Sequence, residues 1–443
     1  MKLWKWFVGL FFMLVFLDGA LRKWVLPSQS AALFVLKDVV LWAGFGLYAL
    51  RRSPLELPRP LQTTGVPLLL GGYVFLVLLQ AFNPRLPNLT ISALGLKSHL
   101  AFLPLLVLIP ALVAETSERQ FIGGLWGYTV VLVLPLTALS VYQFYQPPSA
   151  WINQYVREMS TIATVEGHVR VISTFSYIGS HTAYLTFNAF LGSGTLLAAL
   201  RTRRRRLYWL GGLLIGATFV VLPMAGSRGP VVIILVALAA LLTVARSQYS
   251  SSLRFLAVAF IIIVVVVQGT GLTEGWEALA NRTVGASDTE DRLEGVLYGP
   301  IQGIERAGLL GYGAGSAHQA AVRFVPGTFS QVWLPEGSIE NGIVRLITEL
   351  GALGWILLLS LKTTLLYFAY QTLQRSRQPT ETIVGVTAFC LILAKLPFPV
   401  VYNAVSGSLY WGAVGAMLGV WSMQHVRLRS SISQVNKEKT VSG

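Results

Sequence analysis

The 443-residue chain is short of charge, of cysteine and of histidine, and each shortage narrows what it can be. Only 12% of its residues are charged, about half the roughly 25% of a soluble domain. Hydrophobic residues make up 54% and the mean hydropathy is +0.63, which excludes an ordinary soluble protein. The single cysteine, Cys390, lies in an apolar run, so an intrachain disulfide and a cysteine-based metal site are excluded. The histidines at 99, 168, 181, 318 and 425 show no H-E-x-x-H or similar spacing, so neither a metal nor another cofactor is expected. No small-x-small cleavage site follows the first apolar run; Arg22-Lys23-Trp24 does, so that run reads as a transmembrane helix rather than a signal peptide. No short-period repeat is visible.

What remains is a series of apolar runs. They fall at roughly 3–21, 30–50, 64–82, 98–114, 121–145, 179–200, 207–225, 230–246, 254–270, 342–370, 381–401 and 406–424. Each is near the ~20 residues that cross the hydrocarbon of a bilayer. A backbone there must satisfy its own hydrogen bonds, so the spans are helices. The expected fold class is all-α: a polytopic membrane helix bundle of about twelve spans. Residues 1–430 form one integral membrane domain, and 431–443 read as a disordered cytoplasmic tail.

The net charge of +15 is a topology signal rather than a sign of nucleic-acid binding. With the N-terminus inside, one consistent count puts Arg51-Arg52, Arg119, Arg201, Arg203–Arg206, Arg246, Arg254, Arg375, Arg377 and the basic tail on the cytoplasmic face. Two long outer loops then remain, about 146–178 and about 271–341, the second expected to contain short helices. An active site, if present, faces outward.

Several charges lie within or beside apolar runs: Asp18, Lys37, Asp38, Lys97 and Lys395. Such charges are costly in a membrane and are paired or functional. Asp18 and Lys37 can meet across the first hairpin as a structural ion pair. Arg22 and Lys23 break the positive-inside pattern; they suit an anionic headgroup or a diphosphate, or snorkel at the interface.

Arg228, in Met-Ala-Gly-Ser-Arg-Gly-Pro, occupies a hairpin so short that two helices meet there. It suits a phosphate, because a guanidinium fork grips two oxygens, or else anchors a headgroup. Arg170 precedes another span and Arg292 lies in the second outer loop. Three outer-side arginines fit a ligand carrying two phosphates. Gly311-Tyr312-Gly313-Ala314-Gly315 lacks the strand–turn–helix setting of a phosphate loop and reads as a close backbone approach. Glu340-Asn341 opens a helix; Glu340 is either a general base or a charge on the helix dipole, and Glu336 is a second candidate base.

These stretches together resemble the O-antigen ligase and polymerase family of bacterial membrane proteins. The resemblance rests on Arg170-Val-Ile-Ser-Thr-Phe, Gly226-Ser-Arg-Gly-Pro, Arg292 followed by Gly308-Leu-Leu-Gly-Tyr-Gly-Ala-Gly-Ser, and Glu340-Asn341-Gly with Glu349-Leu-Gly-Ala-Leu-Gly. It implies glycosyl transfer at the outer face of the bacterial inner membrane, metal-independent, from an undecaprenyl-diphosphate-linked saccharide to a glycan or lipid acceptor. The product would be an O-antigen or exopolysaccharide, and membrane lipids would be further partners. Glu340, Arg228 and Arg292 would be catalytic, with Arg170, Arg22, Lys23, Asn341 and Glu336 binding substrate. The family's ligases carry histidine where this chain has Glu340, which leaves polymerase and ligase both open. Two other classes stay open beside it: a transporter, bicarbonate-transporter-like, and a non-catalytic membrane scaffold.

Overall fold

Uninterrupted apolar sequence forms helices in this chain because no backbone group is left without a partner inside a helix. The computed structural model describes residues 2–52, 57–156, 162–165, 168–244, 295, 297–324 and 341–441. Its main helices are α1 (Leu3–Ala20), α2 (Ser30–Arg51), α3 (Val66–Ala81), α4 (Leu89–Leu100), α5 (Leu105–Ala114), α6 (Glu118–Phe144), α7 (Ile178–Thr202), α8 (Arg205–Met224), α9 (Arg228–Val244), α10 (Gly299–Ala307), α11 (Gly342–Gln374), α12 (Pro379–Ala394) and α13 (Ala404–Val441). A two-residue antiparallel ladder, Thr164–Val165 with His168–Val169, is the only sheet among the described residues.

Seven stretches among the described residues are long and apolar enough to cross a membrane: Leu3–Val25, Pro27–Arg51, Leu89–Ala114, Glu118–Phe144, Ile178–Thr202, Arg205–Met224 and Gly342–Gln374. The chain has the architecture of an all-α helical membrane protein. Three shorter apolar helices, α3, α9 and α12, stand beside them. Every expected span except 254–270 falls on a described helix; 254–270 lies outside the described residues. The structure continues α13 as helix to Val441, past the expected boundary of a disordered tail at 430. No proline or glycine stands between Val420 and Ser442 to stop it.

Burial sorts the helices into inner and outer. In α7 the most apolar window is 89% buried, against 33% for the windows of α1 and α2. α7 packs against α8, α12 and α13, while α5 packs along α13. Large apolar side chains such as Trp6, Leu68, Phe75, Val131 and Trp209 stay exposed, as lipid-facing positions do.

The two ends of the bundle differ in chemistry. At one end Glu115 takes ion pairs from Lys2, Lys5 and Arg52. Arg204 pairs with Glu118, Arg201 bonds Ser376, and Arg427 pairs with Glu381. The basic residues named here therefore gather at a single end; Arg246 and Arg254 lie outside the described residues. Opposite them lie the C-terminus of α1, the N-termini of α2, α7 and α9, and the start of α11, which carry the expected site residues.

Candidate functional site

The first hairpin joins its charges into one network. Lys37 Nζ stands 3.6 Å from Asp18 Oδ2, so the expected pair across α1 and α2 is present. Arg22 also reaches Asp18 at 3.6 Å, while its Nε donates to Ser30 Oγ at 2.9 Å. Lys97, arriving on α4, pairs with Asp38 at 3.2 Å. Arg22, Lys37 and Lys97 all lie against the ring of Phe34, whose electron-rich face favours cations. Lys23 turns the other way, and its ammonium donates to the carbonyl of Ser173 at 2.6 Å. That bond ties it to the segment that follows Arg170.

The segment Arg170–Tyr177 is a buried strap rather than a surface loop. Val171 N donates to Met224 O at 3.2 Å, and Thr174 Oγ1 donates to Phe16 O at 2.6 Å. Gln143 closes on Ser173 from α6, accepting from its amide at 2.8 Å. His181 donates from Nδ1 to Val171 O at 2.9 Å, and burial pushes Tyr155, at the edge of the strap, above its ordinary pKa. The strap fixes Arg170, whose Nε donates to Ala225 O at 3.2 Å and whose terminal nitrogen donates to Ser227 Oγ at 2.9 Å. The guanidinium stem lies over Gly226, which takes φ +60° at the turn; any side chain there would press into Arg170. Arg228 is the next residue after Ser227 and begins α9. Two of the three expected arginines thus come to the same turn. The third, Arg292, lies outside the described residues, as do Glu336 and Glu340.

Asn341 is described, and its side chain is taken up by local structure. Its Oδ1 accepts from the amides of Ile343 and Val344, capping α11, and its Nδ2 donates to Gly295 O at 2.6 Å. That geometry makes it a helix cap.

α11 is broken at Gly351, where φ is +68°. A break inside a membrane frees backbone groups that must find partners. Residues 308–313 supply them. Tyr312 N and Gly313 N donate to the carbonyls of Thr348 and Glu349, at 2.8 and 3.1 Å. Ala352 N and Leu353 N donate to the carbonyls of Gly308 and Leu309, at 3.1 and 3.2 Å. The glycine-rich loop is therefore the close backbone approach that the sequence suggests. At Gly315, φ is +93° and a Cβ would stand 2.1 Å from the Ile91 carbonyl, so only glycine fits.

Sequence reasoning missed the residues held by this break. Glu349, the second residue before Gly351, lies 2.8 Å from His99 Nε2, and both side chains are fully buried. His99 is likewise at a discontinuity: α4 ends at Leu100, and Pro104 precedes α5. Tyr73 of α3 completes the chain, with its hydroxyl 2.7 Å from His99 Nδ1. An ionised carboxylate only accepts, so Nε2 carries the proton and the Tyr73 hydroxyl donates to Nδ1. Arg345 lies one turn earlier on α11; its Nε donates to Ala317 O at 3.1 Å, and its guanidinium covers the ring of Tyr402 at 4.0 Å. Burial drives the Tyr402 phenol well above its usual range and holds His318 down to about 4.

The signal for these residues was available. His99, Arg345 and Glu349 are ionisable groups inside apolar helices, the criterion that picked out Asp18 and Lys37. Their pairing was not legible, because 250 positions separate His99 from Glu349. Among the described residues no three His, Cys, Asp or Glu side chains group to hold a metal. Compared with protein-family models and with curated proteins, the chain gives no match.

Proposed function

We propose that the protein is a glycosyltransferase of the O-antigen ligase and polymerase type. In this reading it lies in the bacterial inner membrane with about twelve spans and both termini cytoplasmic. Its polar end opens outward and takes an undecaprenyl-diphosphate-linked saccharide. The observation that carries the reading is the approach of Arg170 to the turn bearing Arg228 across 57 positions of sequence. Fixed guanidinium groups bind a diphosphate and offset the charge it gains as it leaves, which is commonly the largest catalytic contribution. Arg292 is assigned to the same ligand by resemblance, as is Glu340 or Glu336 as base. Deleting the gene and sizing surface polysaccharide tests the reading. Loss of long chains marks a polymerase, unattached long chains mark a ligase, and unchanged polysaccharide contradicts both.

The break in α11 supports a second reading, transport, because discontinuous membrane helices beside ionisable groups commonly line solute paths. Solute flux into vesicles holding the purified protein, without glycan transfer, would favour transport over transfer.

A further inference from the structure

The basic end of the bundle gathers cations round one turn of α13. Trp421 Nε1 donates to Gln371 Oε1 at 2.9 Å, and Gln424 Nε2 donates to Thr372 O at 3.2 Å, so α13 is fastened to the last turn of α11. Arg375 follows that turn as its C-cap, its amide donating to Gln371 O at 3.0 Å. Arg59 N donates to Ser422 Oγ at 3.3 Å, which brings the short helix Pro60–Thr63 to the same turn. His425 stands just beyond the expected span 406–424, its ring stacked on Trp421 with centroids 4.9 Å apart and planes at 9°. Burial holds its pKa below the ordinary value, and the positive charges of Arg429, Arg59 and Arg375 push it the same way. Three guanidinium groups from three chain segments therefore share one neighbourhood.

Like charges so placed repel, and the carboxylates described at this end are already engaged. Glu115 answers Lys2, Lys5 and Arg52, and Glu118 answers Arg204. Glu381 answers Arg427 and accepts from the Arg377 amide. Among the described residues Arg375 and Arg429 pair with no carboxylate, and His425 Nδ1 has no hydrogen-bond partner. The balancing charge is therefore an anion from outside the chain. A carboxylate presents two oxygens in one plane, whereas a phosphate presents oxygens in several directions, which suits guanidinium forks arriving from three segments. Basic pockets between membrane helices hold the phosphates of anionic headgroups. Val426 and Leu428, the sequence neighbours of His425 and Arg429, stay exposed, so apolar surface for acyl chains adjoins the cluster.

We propose that Arg59, Arg375 and Arg429, gathered round His425, form a binding site for a phosphate group, carried by an anionic lipid headgroup or free in solution. The site is separate from the turn that bears Arg170 and Arg228 and does not depend on the glycosyl-transfer reading. A bound phosphate would clamp α11, α13 and the segment at Arg59 together.

The test uses the full chain in detergent micelles, with bound ligand counted by native mass spectrometry. Wild type should take up phosphatidylglycerol saturably and in preference to phosphatidylcholine, whose cationic choline the arginines repel. Arg375→Gln combined with Arg429→Gln should lower the affinity for phosphatidylglycerol at least about tenfold. Arg205→Gln combined with Arg206→Gln removes the same charge from exposed positions at the same end and should change it less than about twofold. Arg429→Gln alone, at an exposed helical position, carries the test if the double variant does not fold, with an expected loss of about threefold or more. Added inorganic phosphate separates the two sources. Displacement of the lipid from wild type shows that the phosphate group alone suffices; lipid retained by wild type but lost from the site variants shows that the ligand is the headgroup with its chains. Equal affinity in wild type and the site variants, an equal loss in the Arg205 and Arg206 control, no preference between the two lipids, or no binding of lipid or phosphate overturns the proposal.

Discussion

Glu115 and Glu349 are both carboxylates held by cations or imidazole, the first at the basic end of the bundle and the second inside it, beside the break in α11. Glu115 keeps 23% of its side chain exposed and answers three cations from two chain segments, the start of α1 and the end of α2. Glu349 is wholly dry and answers one histidine. Water screens the first cluster, so its net worth is small although its contacts are many. Nothing screens the second, so losing one partner leaves a buried charge uncompensated. The number of ion pairs at an end therefore says little about where the molecule is fragile. The basic cluster ties chain ends at the surface of the bundle; the dry pair joins two helices where each is broken.

Removing His99 should break this contrast most severely. His99→Leu leaves Glu349 without its partner and should destabilise the protein by about 3–5 kcal/mol. Chemical denaturation in detergent micelles, followed by tryptophan fluorescence, measures it; a loss below 1 kcal/mol would mean that the pair is dispensable. Gly351→Ala comes next. Its φ of +68° and the Leu309 carbonyl 2.1 Å from the new Cβ predict a cost of at least about 1–3 kcal/mol, read by the same titration.

A smaller, local effect is expected at His318. Burial holds its folded pKa at about 4, against an ordinary 6.5. Above 6.5 it is neutral in both states and pH has no effect. Between 6.5 and about 4 the opened loop binds a proton that the packed loop does not, so stability falls as pH falls. Below about 4 both states carry the proton and the loss levels off. The Ala320 amide, which donates to His318 Nδ1 at 3.1 Å, should exchange with deuterium faster at pH 5 than at pH 7.5, after correction for intrinsic exchange. Equal protection at the two values would contradict the buried, neutral histidine.

The smallest effect belongs to Glu115→Gln, expected under about 1 kcal/mol at neutral pH and shrinking with salt. The hydrogen bond from Lys2 holds the Glu115 pKa below its usual value. Its contribution is present above the unfolded carboxylate range and is lost only as pH falls through the lower folded value. A neutral-pH loss comparable to that of His99→Leu would erase the difference between the two carboxylates.

The sequence made the helices readable because lipid leaves the backbone so few alternatives. Every described expected span is a helix, and the glycines at 311, 313 and 315 were legible as a close approach because each can take a positive φ. Asp18 with Lys37 was legible because a hairpin brings neighbouring helix ends together. Tyr73, His99 and Glu349 come from three separate helices, and only the tertiary fold joins them. Asn341 shows the opposite limit. A residue at a helix start fits both a cap and a ligand contact, and its hydrogen bonds to Ile343, Val344 and Gly295, which show the cap, come from the fold alone.

The central claim is that the end opposite the basic loops binds a lipid-linked diphosphate. Titrating undecaprenyl diphosphate into the purified protein in nanodiscs, with bound lipid followed by native mass spectrometry, tests it most directly. The account predicts saturable binding by the wild type, weakened at least about tenfold in Arg228→Ala and further in the double variant with Arg170→Ala, as expected when charge-assisted bonds to phosphate are removed. Equal binding by all three proteins, or none by the wild type, would contradict it.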